Sequence, residues 1–394
     1  MRKVTFPFYV VAFLSEVVWM AIVPLAPTYA DRFDLSKVET GIVLAAAGFA
    51  TLVVSLPIGV LADRIGTRRL TIAASALVAA SSLGQALAFD FWSLFFARVV
   101  FGIALGAIWT AGLAWIADAV PSRRGASALG VPVTVAGLGI MAGPLFAGAV
   151  GGAFGLRTPF LVLAAAAAAA TLMLARADGH ETPFRHEPLR RTLRAARTHR
   201  IVFASCVVMA VIGLTNGGVN LLVPLSLREN GHSPGTIGLV FSASSSVFVV
   251  ASLVLTRLGT RMVTLGVVGV AAMLYGATIL LPVAGTSSAL IVSFMLIRSP
   301  AWATLSTLSY PLGAVGAERA DLGRGAVMGL LNLVWGAAGT LGPVLAAGIA
   351  QAAGVHWAFA VLAVLMATTG VWLTASSRRE REELRAVAPS LDAP

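Results

Sequence analysis

Glu16 is the only acidic residue set well inside a long apolar run of this chain. Asp31, Asp34, Glu39 and Asp90 stand at one set of run ends, Asp63 and Asp118 at the other. A carboxylate withdrawn from water can carry a proton and, once ionised, can attract a cation. One group doing both makes the two events mutually exclusive, the simplest form of exchange. The plain alternative is a structural carboxylate held by neighbouring helices. Two arginines, Arg98 and Arg298, also fall inside apolar runs. A guanidinium there costs roughly 2.5 kcal/mol or more unless it faces a cavity or a partner, or snorkels to an interface. At 1.5 Å rise per residue, Glu16 lies about 20 Å and Arg98 about 9 Å below the same surface. That mismatch argues against direct contact and leaves a relay open.

The chemistry that is missing narrows the class. All five histidines lie in loops or near run ends, and no metal-ligand cluster or nucleophile–base pair stands out, so neither an enzyme nor a metal or other cofactor is expected. The only lysines are Lys3 and Lys37, which excludes a phosphate-binding loop and hence a visible ATP site. Pumping would then draw on an ion gradient. The single Cys206 reads as a small packing residue.

These residues need elements to hold them. The 394 residues are 58% hydrophobic and 11% charged, too few charges to cover a soluble protein of this size. Runs of about 20 apolar residues recur twelve times, near 6–30, 39–62, 70–89, 92–118, 125–152, 157–175, 201–227, 236–256, 262–283, 288–313, 325–350 and 356–376. The first is long enough to be a retained span rather than a cleaved leader. With both termini cytoplasmic, 22 of the 28 basic residues face inside, as the positive-inside rule requires. The +11 net charge is therefore assigned to membrane orientation and not to nucleic acid. The expected place is the cell (plasma or inner) membrane, with the lipid bilayer as partner.

Four features repeat in order along the chain: Arg98 with Arg298, Arg124-Gly125-Ala126 with Arg324-Gly325-Ala326, Gly143-Pro144 with Gly342-Pro343, and the loop 62–68 with 255–261. An all-α integral membrane protein of twelve transmembrane helices in two pseudo-symmetric six-helix bundles follows. The expected divisions are 1–175 and 201–377 for the bundles, 176–200 for a basic cytoplasmic linker with a short amphipathic helix at 188–198, and 378–394 for a disordered tail.

The loop Gly59-Val60-Leu61-Ala62-Asp63-Arg64-Ile65-Gly66-Thr67-Arg68-Arg69 resembles the signature of the major facilitator superfamily. That resemblance covers essentially the whole chain. It implies the major facilitator fold and a conformational latch at Gly59, Asp63, Arg64, Gly66 and Arg68; the second copy has Thr256 in place of the aspartate. Arg98-Val99-Val100-Phe101-Gly102 resembles the span 4 motif found mainly in proton-coupled members, which implies a coupling role for Arg98 beside Glu16. Gly139, Gly143, Pro144 and Gly148 resemble the span 5 antiporter motif, with Ala147 where a second glycine is usual. Val23-Pro24-Leu25-Ala26-Pro27 adds a likeness to the twelve-span drug:proton antiporters.

In this superfamily spans 1, 4, 7 and 10 line the cavity, which implies substrate contacts from Glu16, Trp19, Trp109, Asn216, Asn220, Arg298 and Trp302, with Trp115, Thr304 and Ser306 nearby and Asn332 and Trp335 contributing from span 11. Aromatic walls with few fixed polar groups suit lipophilic or cationic compounds. The leading expectation is a monomeric, proton-coupled antiporter exporting such small molecules by alternating access. Metabolite exchange (sugar, amino acid or siderophore) on the same scaffold, and a non-transporting membrane sensor, stand as alternatives.

Overall fold

The computed structural model describes residues 2–113, 115, 125–177, 199–258, 262–320 and 324–387. Within these, the side chains of residues 2–5, 56, 59, 60, 63, 125–133, 324–326 and 379–387 lie outside the description. The elements are α1 (Arg2–Phe33), α2 (Lys37–Ile65), α3 (Thr67–Leu87), α4 (Phe91–Ala107), α5 (Gly125–Phe154), α6 (Thr158–Ala175), α7 (Arg200–Glu229), α8 (Pro234–Leu258), α9 (Leu265–Ala284), α10 (Ser288–Arg319), α11 (Arg324–Ala352) and α12 (Val355–Val387). A π-helical turn, Ile108–Gly112, follows α4 directly. Each of the twelve is long and apolar enough to cross a membrane, and helices satisfy their own backbone groups where no water can.

Local chemistry sets where spans begin. Ser36 and Glu39 form a reciprocal capping box at the start of α2, and Asp90 with Ser93 does the same for α4. Gly66 turns the chain between α2 and α3 at φ 93°, a region closed to most side chains. At the other extreme, α12 continues to Val387, so the expected disordered tail is helical over its first ten residues. The stretch Arg378–Ala386 is built of Arg, Glu, Leu and Ala, all strong helix formers. The latch's Gly59 and Asp63 side chains and the linker's 188–198 segment lie outside the described residues.

The packing repeats with a shift of six helices. In the first half α1 packs on α5, α2 on α4, and α3 on α4 and α6; in the second α7 packs on α11, α8 on α10, and α9 on α10 and α12. The halves meet through two crossings, α2 on α11 and α5 on α8. These are one contact made twice. A Cβ on Gly41 of α2 would stand 2.8 Å from the Pro343 carbonyl oxygen and 2.9 Å from the Ala347 Cβ of α11. A Cβ on Gly238 of α8 would strike the Pro144 carbonyl oxygen and stand 3.2 Å from the Gly148 Cα of α5. Small residues let the backbones touch.

Both crossings lie toward the end of the bundle away from the termini, the distal end. There Asp31 meets Arg228 at 2.8 Å, Lys37 meets Glu229 at 3.4 Å, and the Val38 amide donates to the Gln351 side chain at 3.1 Å. All three join one half to the other. The ion pairs are partly exposed, so each contributes roughly 0.2–1 kcal/mol. The glycine crossings carry more of the closure, since overpacking a tight contact costs about 1–3 kcal/mol. Gly238→Leu should therefore open the distal end. Spin labels at Asp34→Cys and Ser233→Cys, in a Cys206→Ser background, should show a new longer-distance population; an unchanged distance distribution would contradict this.

Candidate functional site

Glu16 sits on the innermost stretch of α1, 8% exposed. Its Oε1 accepts a hydrogen bond of 2.8 Å from the indole Nε1 of Trp109. Trp109 belongs to the π-helical turn, where an extra residue is fitted into the helical path. Such turns re-aim side chains and occur often at functional sites. Gly112, at the end of that turn, lies against the Phe8 ring of α1. The antiporter-motif glycines hold α1 from the other side. A Cβ on Gly139 would stand 2.6 Å from the Phe13 carbonyl oxygen and 2.8 Å from the Glu16 Cβ; one on Gly143 would stand 2.8 Å from the Val17 carbonyl oxygen and 2.9 Å from the Met20 Cβ. So α5 packs backbone to backbone on the turn of α1 that carries Glu16. The same helix reaches the opposite half through Pro144 and Gly148.

Arg98, 1% exposed, makes no ion pair with Glu16. Its guanidinium lies 5.6 Å from the Trp19 ring centre and 5.4 Å from that of Phe101. Its Nε and Nη1 have no hydrogen-bond partner among the described residues. The next glycine of its motif, Gly102, touches the Ala47 backbone, and its carbonyl accepts a hydrogen bond from Thr51 at 2.8 Å, fixing α4 against α2. Arg98 also forms part of the wall of a cavity of about 40 Å³ between the halves, shared with Trp19, Gly217, Asn220, Thr340 and Pro343.

Arg298 takes a different course from its counterpart. Its Nη1 donates to the Tyr275 hydroxyl at 2.8 Å and its Nε to the Met295 sulfur at 3.3 Å. The rings of Tyr275, Phe294 and Trp302 surround it at 5.7, 5.5 and 5.0 Å. All these partners lie on α9 and α10, so the expected substrate arginine is enclosed within its own bundle. The Trp302 ring lies 4.3 Å from that of Phe248 of α8, tilted by 40°. Asn220 borders the cavity, while Asn216, one turn earlier on α7, is half-buried. Asn332 accepts from Tyr310, Trp335 is 38% exposed, and Thr304 bonds back to Pro300. Trp115 is fully buried and belongs to the core instead of a cavity wall; only the helical phase beyond the π turn reveals that.

In the latch loop, Arg68 donates from Nη2 to the carbonyls of Ala175 and Ala177, both at 2.9 Å, and from Nε to Ala177 at 3.2 Å. It thus caps the end of α6, where unpaired carbonyls and the helix dipole favour a cation. Arg64 is exposed. Among the described residues, no three His, Cys, Asp or Glu gather as a metal site. Sequence reasoning missed the π turn, the Tyr275 partner of Arg298 and the Thr340 wall; each needs relative helix rotation to be seen.

A twelve-span, two-fold repeated bundle with a buried carboxylate between α1, α4 and α5 has the form of a secondary transporter. The model of the Major Facilitator Superfamily matches residues 8–322 and also 206–391, and the chain belongs to that superfamily of membrane transporters. It is 24% identical over 400 residues to the multidrug resistance protein MdtG of Citrobacter koseri, spanning 95% of each chain. To the multi-drug resistance efflux pump PmrA of Streptococcus pneumoniae it is 23% identical over 262 residues, 63% of this chain and 65% of that protein. A shorter stretch of 112 residues is 37% identical to the 3-(3-hydroxy-phenyl)propionate transporter of Escherichia coli, 27% of this chain and 28% of that one. Among solved structures, a bacterial homolog of the human lysosomal transporter Spinster, in an inward-facing and occupied conformation, superposes with a TM-score of 0.78 at 16% identity, over 95% of this chain and 96% of that one.

The Trp109–Glu16 bond is testable by itself. A double-mutant cycle of Trp109→Phe and Glu16→Ala, read by thermal unfolding in detergent, should return a coupling of about 0.6–1.7 kcal/mol, the range for hydrogen bonds inside membrane proteins. Strict additivity would show that the bond contributes nothing.

Proposed function

We propose that this transporter exports small lipophilic or cationic compounds in exchange for protons, with Glu16 as the group both compete for. The observation that carries this reading is the placement of Glu16. Among the described residues it is the one carboxylate deep inside a span, and its charge is met by a neutral N–H donor, not by a cation. A carboxylate so held can take a proton from one side, release it, and accept a cation in its place. The antiporter-motif glycines pack on that turn of α1, which couples its position to the α5–α8 crossing. Trp109 supplies a ring face for an aromatic or cationic guest. The likeness to MdtG and PmrA supports multidrug export as the cargo class. Arg98 is assigned no ion pair in this scheme; it would act on Glu16 only through intervening water or side chains.

With the positive-inside bias, the distal end faces away from the cytoplasm, both termini face it, and the inner membrane is the site of action. The distal closure then corresponds to a form open toward the cytoplasm, ready to load a compound for export. The protein works as a monomer in this reading. The short match to an aromatic-acid transporter favours a second reading, movement of a metabolite on the same scaffold.

Proteoliposomes distinguish these. An acid-inside gradient should drive ethidium accumulation, and Glu16→Gln should reduce the initial rate at least tenfold, to the level of a dissipated gradient. Gradient-driven uptake equal to wild type in Glu16→Gln would overturn the proposal.

A further inference from the structure

The cavity beside Arg98 has the wrong charge for the exported cation and the right one for something else. One wall comes from the first half, Trp19 of α1 and Arg98 of α4; the other comes from the second half, Asn220 of α7 with Gly339, Thr340 and Pro343 of α11. Arg98 is 1% exposed, and its Nε and Nη1 find no acceptor among the described residues. The aromatic faces of Trp19 and Phe101 are its neighbours, and among the described residues no carboxylate forms an ion pair with it. The Asn220 side chain makes no hydrogen bond to other described residues and offers an amide donor from the opposite wall. Thr340 spends its proton on the Gly336 carbonyl at 2.8 Å. With about 40 Å³ available, the space admits a water or a compact ion. Water would satisfy the N–H groups but leave the charge uncompensated in a low dielectric; an anion answers both.

We propose that this cavity is a binding site for one small anionic group, either a halide-sized inorganic ion or a carboxylate of an organic acid, held between Arg98 and Asn220. The occupant touches both halves, so it favours the distally closed form over the open one and links anion binding to the transport cycle. The site rests on the geometry around Arg98 and not on the export reading; Glu16 plays no part in it.

The test is thermal unfolding of the full chain in lipid nanodiscs. Sodium gluconate, too bulky for the space, is replaced stepwise by sodium chloride or by sodium formate at constant ionic strength. A saturable rise in Tm is expected. Arg98→Gln should abolish it, Arg98→Lys should retain part of it, and Asn220→Ala should raise the half-saturating concentration roughly tenfold, as loss of one donor to an ion does. A response to chloride alone makes the site one for an inorganic ion; a response to formate alone makes it the seat of a carboxylate. Either outcome supports the proposal. No saturable rise with either anion, or a rise that both Arg98→Lys and Asn220→Ala leave unchanged, overturns it. Asn220→Ala keeps the test decisive should Arg98→Gln fail to fold.

Discussion

A bilayer offers a buried charge no water, so every ionised group within the spans must find its compensation in the protein or in what the protein binds. Three side chains deep in the described spans meet that constraint, each differently. Arg298 finds acceptors for Nη1 and Nε in its own bundle, at Tyr275 and Met295, beside three aromatic rings. Glu16 receives one N–H from Trp109. Arg98 is left with ring faces and a cavity. The three thus differ in how much of their polar demand the described residues meet.

The helix packing sets where Glu16 and Arg98 stand. Glu16 lies where α5 touches α1 through Gly139 and Gly143, and further along the same helix Pro144 and Gly148 touch α8 of the opposite half. Arg98 lies where the halves close over a shared space. The space beside Arg98 is enclosed by both halves and changes when the distal end opens, whereas the contacts of Glu16 with Trp109, Gly139 and Gly143 lie within the first bundle. Arg298 stands between α9 and α10, inside a bundle that can move as one body. The pseudo-symmetry of the sequence thus conceals a functional asymmetry, since equivalent arginines in the repeat have unlike surroundings.

Much of the fold was legible in the sequence, because the bilayer demands twenty-residue apolar runs and short polar connections, and both survive as composition. The repeat was legible because Gly143-Pro144 and Gly342-Pro343 do the same packing job at both crossings. Glu16 was legible as a lone carboxylate. Its partner was a candidate only by type: the π turn at Ile108–Gly112 determines which way Trp109 faces, and nothing in the apolar pattern announces an extra residue in a turn. Hydropathy says how deep a residue lies and not which way it points, so the burial of Trp115 in the core and the enclosure of Arg298 between α9 and α10 are not legible in it. The end of α12 was misjudged because a charged, alanine-bearing stretch was taken as disordered although its residues favour helix.

The account turns on one competition, between a proton and a cargo molecule for Glu16. Its most direct measurement is proton release into weakly buffered solution when tetraphenylphosphonium binds the purified protein, recorded with a pH-sensitive dye alongside the binding isotherm. The account predicts close to one proton released per cation bound, and none from Glu16→Gln. Saturable binding of the cation with no proton released, in protein shown to be folded, would contradict it.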